Sequence, residues 1–137
     1  MKRETTEWLR ISREDLQSAA YLFEKRLFRM VCYHAQQTVE KIFKAVLVEN
    51  EIDIPKVHNL LDLNNAIRRL GYETNLTNEE AIFLNSIYRW RYPPDLGLLP
   101  LGEPTEMDAE KALRIAGAMN DWSKENFEPS TSTIPSV

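Results

Sequence analysis

Arg91 is a charged residue at a position where the helical pattern predicts an apolar one. Leu84, Ile87 and Tyr88 recur in steps of three and one residues, as on one face of a helix, and Arg91 continues that row. A guanidinium group at the end of an apolar row needs a carboxylate, a phosphate or carbonyl groups to accept from its donors. Alternatively, the side chain extends into solvent at a helix C-terminus, where the helix dipole favours a cation. Both interpretations stay open.

Two histidines, His34 and His58, are the residues that could move protons near neutral pH. A lone helical histidine such as His34 is more often a structural hydrogen-bonding residue than a catalyst. His58 follows Pro55 at the start of a predicted helix, where its ring could cap the helix or project into a cleft with Arg91. The histidines do not have metal-ligand spacing and there is no glycine-rich phosphate loop, so we predict no metal site and no cofactor.

The second predicted helix carries a polar row on the side opposite its apolar face. This row consists of Tyr33, Gln37, Lys41 and Lys44. Met30 and Val48 lie on the same side and enclose the row, which a fully solvated face would not require. We therefore predict that the polar row packs against a neighbouring helix or a second subunit, with its polar groups hydrogen-bonded across the contact.

Composition restricts the class of protein. A chain of 137 residues with 43% apolar residues suits one domain, and its net charge of −4 argues against binding nucleic acid by bulk attraction. The acidic residues are predicted to form a solvated surface. Cys32 is the only cysteine, which excludes an intramolecular disulfide and favours a buried thiol. Neither a signal peptide nor a membrane-spanning run is recognisable, so we predict a cytoplasmic protein without a membrane partner.

Five helices are predicted to position these residues in an all-α, up-and-down helical bundle of four to five helices. Apolar residues at helical spacing indicate helices over residues 5–26 and 28–51, and Pro55 is predicted to end the second. The others are predicted over residues 58–70, over residues 77–91 and from Thr105 onward.

Local signals mark the ends of the later helices. Gly71 is predicted as a C-cap, and Thr77 with Glu80 reads as a capping box. Residues 92–104, with four prolines and two glycines counted from Tyr92 to Pro104, are predicted to form a long loop or flap. The helical domain is predicted over residues 1–127, and residues 128–137 as a disordered C-terminal tail.

The stretch CYHAQQTVEK at residues 32–41, followed by Lys44-Ala45, resembles the second-helix signature of the HEPN family. Further marks occur in the expected order, among them Trp8, the region of Asp15, and the Arg91-Tyr92-Pro93 segment. The resemblance extends over about residues 5–122. It implies a four- or five-helix bundle that forms a homodimer, and a minimal nucleotidyltransferase as partner in a toxin–antitoxin-like pair.

The resemblance also bears on activity. Catalytic HEPN domains are similar in having an arginine followed four to six residues later by a histidine, used in metal-independent RNA cleavage. Arg91 matches the arginine, but Asp95, Leu96 and Gly97 stand where the histidine is expected. The predicted function is therefore binding of a nucleotide or RNA phosphate, with Arg91, Asp95, His58 and His34 as ligand-binding candidates. The alternatives are an endoribonuclease toxin, with Arg91 and His34 as candidate catalytic residues, and a non-catalytic dimerisation scaffold.

Overall fold

The computed structural model describes residues 1–56, 59–87 and 103–127, and this part of the chain contains five α-helices and no strand. The helices are α1 (Arg3–Glu24), α2 (Phe28–Glu49), α3 (Leu60–Arg69), α4 (Asn78–Ile87) and α5 (Glu106–Phe127). The predicted all-α helical bundle is confirmed. None of the described helices is long and apolar enough to cross a membrane.

The turn between α1 and α2 is short because α1 ends in a Schellman motif. Arg26 adopts a left-handed backbone with φ of 60°, and the Leu27 N–H donates back to the Leu22 carbonyl at 3.1 Å. The helix therefore ends at Glu24, two residues before the predicted end at residue 26. This tight connection brings α2 back along α1 as an antiparallel neighbour.

The end of α2 uses the same motif. Glu51 has φ of 58°, and the Ile52 N–H donates to the Leu47 carbonyl at 2.9 Å. Pro55, which was predicted to end α2, lies six residues beyond Glu49. The helix therefore ends through a local reversal of the backbone and not through proline. The sequence offered no glycine to indicate this reversal, which is why the predicted end at residue 51 was late.

The C-terminal end of α2 also holds the N-terminal end of α1. Glu49 Oε1 accepts from the Lys2 backbone N–H at 2.9 Å and from the buried Thr5 hydroxyl at 2.8 Å. These bonds, led by the one from the Lys2 backbone, keep the pKa of Glu49 below its usual range despite the opposing effect of burial. One carboxylate therefore binds two groups at the start of α1 and fixes the ends of the two helices against each other.

Side chains cap the remaining helices. Asn59 Oδ1 accepts from the backbone N–H of Leu61 at 3.0 Å, so α3 starts at Leu60 rather than at the predicted residue 58. Gly71 has φ of 103°, as its predicted role at the helix end requires. The capping box is confirmed, since the Thr77 hydroxyl accepts from the Glu80 N–H and Glu80 Oε1 accepts from the Thr77 N–H, both at 3.0 Å.

Thr105 caps α5 in the same reciprocal way with Asp108. Its hydroxyl accepts from the Asp108 N–H at 3.2 Å, and Asp108 Oδ2 accepts from the Thr105 N–H at 2.9 Å. The N-cap predicted at Thr105 is therefore confirmed, and aspartate takes the place that glutamate or glutamine usually fills.

Helix α2 forms the centre of the bundle. It contacts each of the other four helices, and 13 of its 22 residues are buried. Fully buried Val39, Phe43 and Val46 belong to the same core cluster as Ala112 and Ala116 of α5, whose small side chains permit close helix approach. This central position means that polar residues of α2 are drawn into the interior together with its apolar ones.

Candidate functional site

Asp15 is the centre of a polar cluster between α1 and α2. Its Oδ1 atom lies 2.8 Å from His34 Nδ1, and its Oδ2 atom lies 2.5 Å from Lys41 Nζ. His34 and Lys41 are seven residues apart, which places both on one side of α2, and the lysine side chain is long enough to reach back to the same carboxylate. We call these three residues the Asp15 cluster.

Within the Asp15 cluster the carboxylate is buried, while the two basic side chains are partly exposed to solvent. The Asp15 side chain is 10% exposed, while those of His34 and Lys41 are 22% and 20% exposed. Burial alone would raise the pKa of Asp15. The hydrogen bonds from His34 and Lys41, with the lysine charge, outweigh that effect, so the pKa of Asp15 is lowered from its ordinary value. Asp15 is therefore an ionised acceptor at neutral pH.

Because Asp15 is ionised, it determines which ring nitrogen of His34 carries a proton. A carboxylate can only accept, so His34 Nδ1 must carry the proton that is shared at 2.8 Å. The other ring atom, Nε2, is then a base in the neutral imidazole and a donor in the protonated one. Within the described part of the chain Lys41 donates only to Asp15, which leaves two of its three N–H groups for another acceptor.

A second buried carboxylate, Glu40, lies on the same helix. Its side chain is 2% exposed and accepts from Lys44 Nζ at 3.0 Å and from Gln36 Nε2 at 3.3 Å. Gln36 accepts in turn from Gln37 Nε2 at 2.7 Å, and Lys44 Nζ lies 5.3 Å from the centre of the Trp8 ring. The charge of Glu40 is thus compensated inside the protein, as a buried charge requires.

The polar row predicted on α2 lies largely inside the chain. Gln37 is buried, the Lys44 side chain is 14% exposed, and Lys41 bonds to α1 through Asp15. Tyr33 is half-buried, with its ring 5.1 Å from that of His34 in an edge contact. Neighbouring helix α1 therefore provides the packing that the sequence suggested, and participation of the row in a dimer interface remains a prediction.

Three of the predicted ligand-binding residues, His58, Arg91 and Asp95, lie outside the described residues. Their grouping with His34 therefore stays a prediction. Cys32 is fully buried, and its burial raises the pKa of the thiol to about 12. It is a core residue and not a nucleophile. In the part of the chain that the structure covers, no three His, Cys, Asp or Glu side chains are grouped to hold a metal ion.

Sequence reasoning missed Asp15 and Glu40. The expectation that acidic residues form a solvated surface is wrong for both, because each is buried against a lysine. A signal was present at Asp15, which is three residues after Ser12 and four before Ala19, two buried positions of the inner stripe of α1. A carboxylate in such a stripe indicates a basic partner on the helix it faces.

Comparison with known proteins agrees with this architecture. The HEPN domain family model matches residues 5–126. A protein of Methanocaldococcus jannaschii named "Putative toxin MJ1304" is 30% identical over 138 aligned positions, which cover 88% of each chain.

Two crystal structures share the fold. The archaeal HEPN homologue ST0689 has a TM-score of 0.61 at 24% identity, and the alignment covers 92% of this chain and 98% of that one. The protein TT1696 from Thermus thermophilus has a TM-score of 0.72 at 24% identity, with 92% and 100% covered. Together with the match of the family model over nearly the whole helical region, these findings assign the chain to the HEPN family.

Proposed function

We propose that this chain is a toxin-like HEPN protein that binds a nucleotide or RNA phosphate at the Asp15 cluster, as a homodimer and in partnership with a nucleotidyltransferase. The observation that carries the proposal is the convergence of two partly exposed basic groups, His34 and Lys41, on one buried carboxylate. The name of the Methanocaldococcus jannaschii relative supports the toxin-like assignment. The partner protein and the homodimer rest on the family resemblance alone.

Electrostatics favours an anion at this place. Asp15 and Lys41 cancel, so protonation of His34 gives the cluster a net charge of +1. A phosphate could accept from His34 Nε2 and from the remaining N–H groups of Lys41, because Asp15 uses only one donor of each. Such charge-assisted bonds are shorter and stronger than neutral ones. Asp15 would thereby act as a positioning residue that presents both donors without contacting the ligand.

Arg91 is expected to add a second phosphate contact. A guanidinium group provides a planar pair of donors that suits a phosphate better than lysine does. We also retain His58 and Asp95 as expected members of the ligand site.

Binding of a labelled single-stranded RNA and of adenosine monophosphate, measured by fluorescence anisotropy and by thermal shift, tests the proposal. We expect Lys41→Met and Arg91→Ala each to weaken RNA binding about tenfold, which corresponds to roughly 1.4 kcal/mol. Lys124→Met, in the last turn of α5, is the matched control because its residue is exposed and distant in sequence from the cluster. The proposal is wrong if neither ligand binds, or if all variants bind RNA as the wild type does.

A second candidate function is metal-independent cleavage of RNA. It is favoured by one observation, the bond between Asp15 and His34, because a carboxylate that orients an imidazole is a recurrent arrangement in general acid–base catalysis. In this mechanism His34 Nε2 would take the proton from the attacking 2′-hydroxyl, and Arg91 would stabilise the developing charge on the phosphate. As the bond between the 2′-oxygen and phosphorus forms, the bond from phosphorus to the 5′-oxygen would break, and the leaving 5′-oxygen would take a proton from water. Incubation of RNA with the protein in chelator, comparing wild type with His34→Ala and Arg91→Ala, separates cleavage from binding. Absence of cleavage, or equal cleavage by all three proteins, would exclude this mechanism.

A further inference from the structure

A groove between the end of α2 and helix α3 is separate from the Asp15 cluster. Its cavity has a volume of about 330 Å³, and its floor is apolar. The floor consists of Leu47, Ile52, Pro55, Leu63 and Ala66. We call this the α2–α3 groove. Ligand-binding clefts typically start at about 300 Å³, so its volume is sufficient for an apolar side chain with its neighbours.

Local structure creates the groove. The Schellman motif of α2 turns the chain so that Ile52 returns beside Leu47, through the 2.9 Å bond between the Ile52 N–H and the Leu47 carbonyl. On α3, Leu63 and Ala66 lie on one side of the helix, with Asp62 and Arg69 on the same side. Ala66 contributes only a methyl group to the lining of the groove.

The rim of the groove carries charges that have no partner in the described part of the chain. Asp53, Asp62 and Arg69 are exposed and form no hydrogen bond or ion pair through their side chains there. Ile52 is also exposed, at 39%, although it is a large apolar residue. An apolar lining bordered by exposed charges can bind a segment that carries both an apolar side chain and charged groups.

A second cavity of about 330 Å³ adjoins the α2–α3 groove at the chain segment after α2 and shares Ile52 and Asp53 with it. Together they are lined by four acidic side chains, Glu4, Glu51, Asp53 and Asp62, and by two basic ones, Lys2 and Arg69. Lys2 pairs with Glu51 at 3.4 Å, which leaves three acidic residues against Arg69.

We propose that the α2–α3 groove and the adjoining cavity bind a basic segment of a partner protein, in which an apolar side chain is flanked by lysine or arginine. The apolar side chain would occupy the floor beside Ala66, while Asp53 and Asp62 would contact the flanking cations. Two adjoining cavities with shared lining residues provide room for successive side chains of a peptide segment. The acidic excess disfavours RNA at this place, because phosphate groups and carboxylates repel each other.

Anisotropy of a fluorescein-labelled octapeptide of alternating lysine and leucine tests this, with an octapeptide of alternating glutamate and leucine as the matched probe. We expect the basic peptide to bind, its binding to weaken as salt is raised, and the acidic peptide not to bind. Asp53→Asn combined with Asp62→Asn should weaken binding about tenfold. Asp121→Asn combined with Glu110→Gln, both exposed on α5, should leave it unchanged.

A steric variant gives an independent measurement. Ala66→Trp should abolish peptide binding by filling the floor, while circular dichroism checks that the helices persist. If that variant does not fold, Ile52→Ser, which removes the exposed apolar side chain without adding volume, should weaken binding. Equal binding of both peptides, equal binding to all folded variants, or displacement of the basic peptide by free leucine would overturn the proposal. RNA binding at the Asp15 cluster does not enter any of these readouts.

Discussion

The ion pair between Asp15 and Lys41 gives the most direct test of the cluster geometry. We predict a strong energetic coupling between the two residues, measurable in a double-mutant cycle of Asp15→Asn, Lys41→Met and the double variant. Methionine keeps most of the apolar stem of lysine and removes its charge, so the cycle isolates the charged contact.

The geometry sets the expected magnitude. The bond is short, at 2.5 Å, and joins side chains that are 10% and 20% exposed. Hydrogen bonds to charged groups contribute about 1.5–3 kcal/mol to stability, and breaking a fully buried pair costs about 3–5 kcal/mol. His34 still bonds Asp15 after Lys41 is lost, so we expect the lower range, with a coupling of about 2 kcal/mol. A variant that loses about 2 kcal/mol of stability would melt roughly 6 °C lower for a domain of this size.

The coupling must also depend on pH in a defined direction. Because the pKa of Asp15 is lower in the folded protein than in the unfolded chain, its ionised form stabilises the fold at neutral pH. That contribution is lost as the pH falls through the folded pKa of Asp15, when the carboxylate takes up a proton. The stability difference between wild type and Lys41→Met should therefore be full at pH 7 and shrink below about pH 4.

Urea unfolding at pH 7, 5 and 3, followed by circular dichroism and extrapolated to water, measures these quantities. Lys124→Met is the control for loss of an exposed lysine and should change the free energy of unfolding by less than about 0.5 kcal/mol. A coupling below about 0.5 kcal/mol, or one that is the same at pH 7 and pH 3, would refute the assignment of Asp15 as a buried carboxylate that accepts hydrogen bonds from both His34 and Lys41.

Three further predictions concern the helix ends and the core. Glu51→Gly should raise the free energy of unfolding by about 0.5–1 kcal/mol, because glycine adopts the left-handed backbone of this position without strain. By contrast Gln17→Gly, at an exposed position inside α1, should lower it, both measured by urea titration. Thr77→Ala should cost about 1 kcal/mol by removing a cap that Thr77→Ser retains, so equal stability of the two variants would contradict the capping bond. Cys32 should react with a thiol reagent at pH 8 only after unfolding, since its pKa is raised to about 12 and its side chain is buried; rapid reaction of the native protein would contradict this.

The sequence was sufficient for the helices because their signals are local. The capping boxes at Thr77 and Thr105 involve residues only three positions apart, and the apolar spacing of α2 needs no knowledge of its neighbours. The ends of α1 and α2 were predicted late because Arg26 and Glu51 adopt left-handed backbones that glycine or asparagine usually provides.

The Asp15 cluster could not be predicted from local sequence patterns, because it joins residues of two different helices. Asp15 meets Lys41 over 26 residues of sequence, so the contact depends on how far α1 and α2 are shifted along each other. That shift is fixed by the short turn at Arg26 and by the Glu49 contacts with the start of α1, neither of which the apolar pattern predicts. The sequence showed the polar side chains of α2, but it did not show that Asp15 of α1 would be their partner.

The central position of α2 has a consequence for the order of folding. Its largest contact is with α1, to which it is joined by a turn of three residues, Lys25 to Leu27, and this pairing is therefore local in sequence. Its contact with α5 closes a much longer loop and carries a larger entropic cost. We expect the α1–α2 hairpin to form early and α5 to dock late, so that the last step buries the core face of α2 with the alanines of α5. Substitutions such as Ala112→Gly would then speed unfolding more than they slow folding.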